Sequence, residues 1–277
     1  MSNADSLSPS EVRSRIRAGE WQHLTTGASL GHLQANLVIL PGDLAADFHA
    51  MCSANPQALP LLEATEPGVP DDLTVAPGAD LRTDLPRYHV HRHGVFETEV
   101  GSLEYLWRED FVGFLLGCSF SAEHQLLKAG VRLRHLELGQ GVPMFITSTE
   151  CEPAGRLCGP VVVSMRPIAR DQVDTAIEIT SRYPLAHGAP LHVGDPRGIG
   201  ITNLSDPDWG DPIEVACDEV PVFWACGVTP QTIIRAAQPE ISVTHAPGHM
   251  FVTDVRDETI MDCTELDLRR SPPSKTS

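Results

Sequence analysis

Lysine is nearly missing from this chain: of its 20 basic residues only Lys128 and Lys275 are lysine. With 37 acidic residues the formal net charge is -17. The clustered cations that a phosphate backbone or an anionic bilayer requires are therefore lacking, so neither nucleic acid nor a membrane surface is an expected partner. No run of about 18 apolar residues occurs, which removes a bilayer-spanning helix. The first residues show no basic stretch followed by an apolar one, so no secretion signal is expected. None of the seven cysteines (Cys52, Cys118, Cys151, Cys158, Cys217, Cys226, Cys263) stands in a CxxC pair, and their number is odd. A disulfide scaffold or a structural zinc site is disfavoured, and reduced thiols in a cytoplasmic protein are the simpler expectation. No fixed-period repeat is visible.

What is present is a chain of 277 residues, 42% hydrophobic, enough for a large core. Ser8-Pro9-Ser10-Glu11 reads as a capping box opening a short helix. Helices are also predicted over 43–54, 121–130, 169–182 and 229–238, the last with Thr229 as cap. Extended segments are predicted at 34–40, 88–100, 111–117, 131–138 (VRLRHLEL), within VPMFITST and GPVVVSMRPI, and at 213–228, 241–245 and 249–255. Residues 55–86 carry six prolines and read as a long irregular segment that wraps the surface or serves the site. Interspersed helices and strands predict a mixed α/β (α+β) fold. The expected division is a larger mixed-sheet unit from 1–135 and 206–270, a smaller inserted two-layer unit from 136–205, and a disordered tail at 271–277. A homo-oligomer is the general prior.

Two segments share one design. FLLGCSFSAEHQLL and FWACGVTPQTIIRAA each pass from an apolar strand, through a cysteine beside a glycine, into a helix start. Backbone N–H groups left free there can bind a carboxylate or lower a thiol pKa. Cys118 and Cys226 are thus candidates for a substrate cradle or a nucleophile, against the plainer reading of small buried residues at tight turns. Glu123, one turn on, is a candidate acid or base, or merely favours the helix dipole. The loop HGAPLHVGDPRGIGI places His187, His192 and Asp195 among glycines and prolines, and THAPGHMFVTD holds His245 and His249 four apart around a helix-breaking Pro-Gly. Arg166 ends an apolar strand and could grip a carboxylate. His89, His91 and His93 would share one strand face, the most metal-like pattern present, though polar alternation on a solvated strand explains it equally. No metal and no cofactor is expected.

Taken in order, GCSFSAEHQLLKAG, VPMFITS, VVVSMRPI, HGAPLHVGDPRGIGI, EVPVFWACGVTPQ and THAPGHMFVTD resemble the signature blocks of the hydro-lyase family that includes the D-glutamate cyclases. The resemblance covers roughly residues 10 to 265. It implies a two-part mixed α/β fold, a cytoplasmic bacterial enzyme, and loss of water from a small acid such as D-glutamate to give 5-oxo-D-proline. On that basis His187 or His245 is expected to take the amine proton, and the helix starts at Cys118 and Cys226 to hold the oxyanion. Glu123 or Asp195, with a raised pKa, would protonate the departing oxygen. Arg166, His192, Gly227, Gln231 and His249 would bind the substrate. The alternatives are a metal-dependent hydroxy-acid dehydratase and a non-catalytic amino-acid or carboxylate-binding protein.

Overall fold

The computed structural model describes residues 7–25 and 27–266; the expected tail at 271–277 lies outside them. In chain order the elements are α1 (Pro9–Arg17), β1 (His32–Pro41), α2 (Gly42–Ala54), β2 (Leu61–Ala64), β3 (Tyr88–Arg92), β4 (Val95–Val100) and β5 (Phe111–Gly117). Then follow α3 (Glu123–Lys128), α4 (Arg134–Leu138), β6 (Met144–Glu150), β7 (Pro160–Ala169), α5 (Val173–Ser181) and β8 (His192–Val193). The last are β9 (Glu219–Ala225), α6 (Thr229–Ala237), β10 (Ile241–His245) and β11 (Phe251–Arg256). The class is mixed α/β, as the interspersed elements predict. Among the described residues every strand pairing is antiparallel, and no helix is long and apolar enough to cross a membrane.

The larger sheet runs β2-β5-β1-β10-β3-β4, with β11 also on β1. Period-two burial explains the central strand. Leu33, Ala35, Leu37 and Ile39 face one core, while Val38 and Leu40 face another. The first core is closed by the proline-rich segment, whose Leu73, Val75, Leu81 and Leu85 are buried there and whose Leu81 carbonyl accepts from Tyr88 Oη (2.8 Å). The second core lies between the sheets: Val38, Phe114 and Phe48 of α2 meet Phe145, Val163 and Phe223 of a four-stranded sheet ordered β6-β7-β9-β8. Strand 219–225 thus joins the sheet built from the 136–205 block. Each such large apolar side chain contributes about 1.5–3 kcal/mol on burial.

β1 has an unusual neighbour. Its second half pairs with β10 (Val38↔Thr244) and its first half with β11 (Ala35↔Phe251), so residues 246–250 leave the sheet in its middle, beside Asn36 and Leu37.

Several expectations are corrected. VRLRHLEL is not a strand: Val131 and Leu133 are buried in extended backbone, but 134–138 then coil into α4, which stops at Gly139 (φ 64°). The short charged-apolar alternation mimicked a strand period. Residues 213–218 are not extended into the sheet; β9 begins at Glu219. Thr229 is the first residue of α6 rather than its cap, and its hydroxyl donates to the Cys226 carbonyl (2.8 Å). The capping box forms as read, with Glu11 accepting from Ser8 N–H (2.8 Å).

Candidate active site

Two strand ends approach each other across the gap between the sheets. β5 finishes at Gly117, where any β-carbon would collide with the Leu185 carbonyl, and Cys118 then opens a tight turn at Ser119–Ala122 leading into α3. β9 finishes at Ala225, and Cys226-Gly227 lead into α6. A β-carbon on Gly227 would collide with the side chain of Asn36, whose amide donates to the Gly117 carbonyl (2.7 Å). Glycine at both positions lets the turns close on one another. With the 246–250 excursion they enclose a cavity of about 420 Å³, walled by Asn36, Cys118, Ser119, Ser164, Cys226 and His245, with His135, Met144 and Met250 beside them.

Both thiols are protonated at neutral pH. Burial pushes Cys118 up to about 12. Burial also raises Cys226, although the N–H groups of Val228 and Gly227 and the Ser164 hydroxyl oppose it. Burial pushes the His245 ring down to about 4, so it is neutral. Its Nδ1 faces the Leu37 backbone, where the N–H stands at 3.2 Å and the carbonyl at 3.3 Å. Either tautomer finds a partner there, which leaves Nε2 for the cavity as acceptor or as donor.

Beneath the cavity lies a buried ionic network. The Arg166 guanidinium donates to Glu123 Oε1 from Nε (2.8 Å) and Nη2 (2.6 Å), and stands over the rings of Phe120 and Trp224. His135 Nε2 lies 3.1 Å from the same carboxylate oxygen. Burial alone would raise the Glu123 carboxyl, but Arg166 and His135 outweigh it and hold it below its ordinary value. Two expectations therefore fail: Glu123 is not a proton donor with a raised pKa, and Arg166 does not grip a substrate carboxylate directly, because each is consumed by the other.

The remaining predicted residues lie elsewhere. His187, fully buried at φ 73°, donates from Nδ1 to the Gln57 carbonyl (2.8 Å) and borders a separate cavity of about 730 Å³ near residues 49–64. His192 donates to the Asp195 carbonyl (2.7 Å), and the exposed Asp195 is held at about 2 by Arg197, the reverse of the raised pKa that protonating hydroxide requires. His249 turns to the Pro247 carbonyl (3.0 Å) and lies outside the wall, as do Gly227, which backs Asn36, and Gln231, whose amide nitrogen is buried without a partner. His93 stands in the β3–β4 turn (φ 48°), so the three histidines do not share a face. Among the described residues no group of three or more His, Cys, Asp or Glu is placed to hold a metal ion.

Asn36, Ser119, Ser164 and His135 are wall residues that motif reading passed over. For two of them a signal existed: Asn36 in QANLVIL and Ser164 in VVVSMRPI are polar residues in largely apolar strands, and a buried polar group is the informative exception.

The family model described as D-glutamate cyclase matches residues 112–254, a span holding both cysteine turns and His245. A protein of Thermoanaerobacter sp. (strain X514) named "Putative hydro-lyase" is 52% identical over 258 residues, 93% of this chain and 97% of that one. One of the same name from Stutzerimonas stutzeri (strain A1501) is 53% identical over 254 residues, covering 92% and 96% of the two chains. A protein of Bacillus subtilis (strain 168) named "Putative hydro-lyase YcsI" is 48% identical over 254 residues, 92% and 99% of the two chains. The likeness to the family model and to these relatives defines an enzyme of the lyase class. The chain belongs to the D-glutamate cyclase family.

Proposed function

We propose that the cavity between the two cysteine turns is the active site, and that it closes D-glutamate into 5-oxo-D-proline with loss of water. The observation that carries this is convergence: Cys118, Cys226 and His245, from segments far apart in sequence, line one cavity inside the span shared with the cyclase family.

In the reaction a bond forms between the α-nitrogen and the side-chain carboxyl carbon, and a carbon–oxygen bond breaks. Two protons must pass from the ammonium nitrogen to the departing oxygen. His245 suits this traffic, because the Leu37 backbone accommodates Nδ1 with or without its proton. A ring pushed down to about 4 is a weak base alone, but a substrate carboxylate beside it raises its proton affinity. The Gly227 and Val228 N–H groups beside Cys226, together with the Asn36 amide hydrogen not given to Gly117, are the donors on hand for the oxyanion. The protonated thiols shape the wall, and a thioester is not required.

Incubation with D- and L-glutamate, followed by mass spectrometry for 5-oxoproline, tests the reading. Product from D-glutamate and a fall in kcat of about 100-fold or more in His245→Gln are expected. Full activity in both Cys118→Ala and Cys226→Ala removes the covalent route. Thermal stabilisation by glutamate with no product from either enantiomer makes the protein a binder and overturns the cyclase assignment.

A further inference from the structure

We propose that Ser119 and Ser164 form a carboxylate-binding cradle whose hydroxyl protons are aimed into the cavity by Arg166 beneath them. This rests on the reading of the cavity as the substrate site and identifies the part of it that takes an anion.

The reasoning is a donor count. A guanidinium has five N–H donors and accepts nothing. Arg166 spends Nε and one Nη2 hydrogen on Glu123 and donates from Nη2 to Ser119 Oγ (3.1 Å) and from Nη1 to Ser164 Oγ (3.1 Å). Each serine oxygen is thereby fixed as an acceptor toward the arginine. Each hydroxyl owns one hydrogen, which has to point away from the cation. Both serines line the cavity. Ser164 can turn its hydrogen toward Cys226 on that same wall, and among the described residues Ser119 donates to no protein acceptor.

The arrangement delivers positive character without placing a charge in the cavity. Arg166 is 2% exposed, wedged between Phe120 and Trp224, and neutralised by Glu123. It cannot swing up to meet a ligand, but it polarises two short donors that can. Hydroxyls polarised in this way prefer a carboxylate to a neutral oxygen, and the two, held by Nη2 and Nη1 of one guanidinium, can each meet one of its oxygens. The ligand class is an aliphatic carboxylate small enough for about 420 Å³. In this scheme Arg166 is a positioning residue, and the serines make the contact.

Glutarate is the probe, because it has no amine and cannot cyclise, so binding is read whether or not the protein turns over glutamate. Calorimetric titration of the full chain with glutarate is expected to show binding that weakens about 10- to 100-fold in Ser119→Ala and in Ser164→Ala, both still folded but melting a few degrees lower because a buried arginine donor loses its acceptor. Arg166→Lys keeps the charge opposite Glu123 and loses the fork; a folded Arg166→Lys protein is expected to weaken glutarate to a similar degree. Absence of glutarate binding to the wild type overturns the cradle. So does wild-type affinity in both serine variants. Undiminished binding in a folded Arg166→Lys protein overturns the aiming role of the arginine. Serine-dependent glutarate binding with no 5-oxoproline from glutamate keeps the cradle and rejects the cyclisation.

Discussion

Folding stability is expected to drop steeply as pH falls from 6.5 toward 4. His187 and His245 are fully buried, and burial pushes each ring from 6.5 down to about 4. Below 6.5 the unfolded chain takes up protons at these rings while the folded chain refuses them. Stability therefore rises with pH through this window and is fully present above 6.5. Each histidine accounts for on the order of 3 kcal/mol between the two limits, a large share of a typical domain's total. Urea denaturation at pH 7.5, 5.5 and 4.5 measures the slope. His187→Asn isolates one contribution, since asparagine tolerates the left-handed backbone at φ 73° and its amide can donate to the Gln57 carbonyl. A flatter profile is expected in that variant. A profile parallel to wild type would show that the buried imidazole does not control acid sensitivity.

Glu123→Ala is expected to cost about 3–5 kcal/mol at neutral pH, because it strands the Arg166 guanidinium in the interior beside His135. For a chain of this size that lowers the melting temperature by roughly 10–15 °C. A loss under about 1 kcal/mol would mean that water or another side chain takes over from the carboxylate. The pH dependence gives a second check. Glu123 is held below its ordinary value, so its contribution is present above the unfolded value near 4.5 and disappears as pH falls through the lower folded one. The gap between wild type and variant should hence close only in strong acid. A Glu123→Leu/Arg166→Met double variant should recover much of the stability, since apolar replacement of both partners leaves no buried charge behind. It would still lack the donors that orient Ser119 and Ser164.

How far the sequence disclosed this arrangement depended on the range over which each residue finds its partner. The two Cys-Gly turns were readable because strand, cysteine and helix start are contiguous, and they do face one cavity. The capping box at Ser8 was readable for the same reason. Arg166 and Glu123 were singled out separately, and nothing local indicates that β7 carries the arginine to the carboxylate at the start of α3. The glycine-rich stretch holding His187, His192 and Asp195 looked functional because its geometry is tightly specified. Two of its polar groups instead satisfy neighbours close at hand, Asp195 with Arg197 and His192 with the Asp195 carbonyl, while His187 is held by the distant Gln57 carbonyl. Ser164 and Asn36 left only the weaker mark of a polar residue in an otherwise apolar strand, because periodicity records no more than that the strands holding them are buried.

The cavity wall is divided between the sheets. Asn36, Cys118 and His245 come from the seven-stranded sheet and its turn, while Met144, Ser164 and Cys226 come from the four-stranded one. Neither part expressed as a fragment would possess half an activity: each would present an open apolar face and an orphaned charge. Catalytic competence and the docking of the two layers should then reappear together, at the same rate, when the unfolded chain is returned to native conditions.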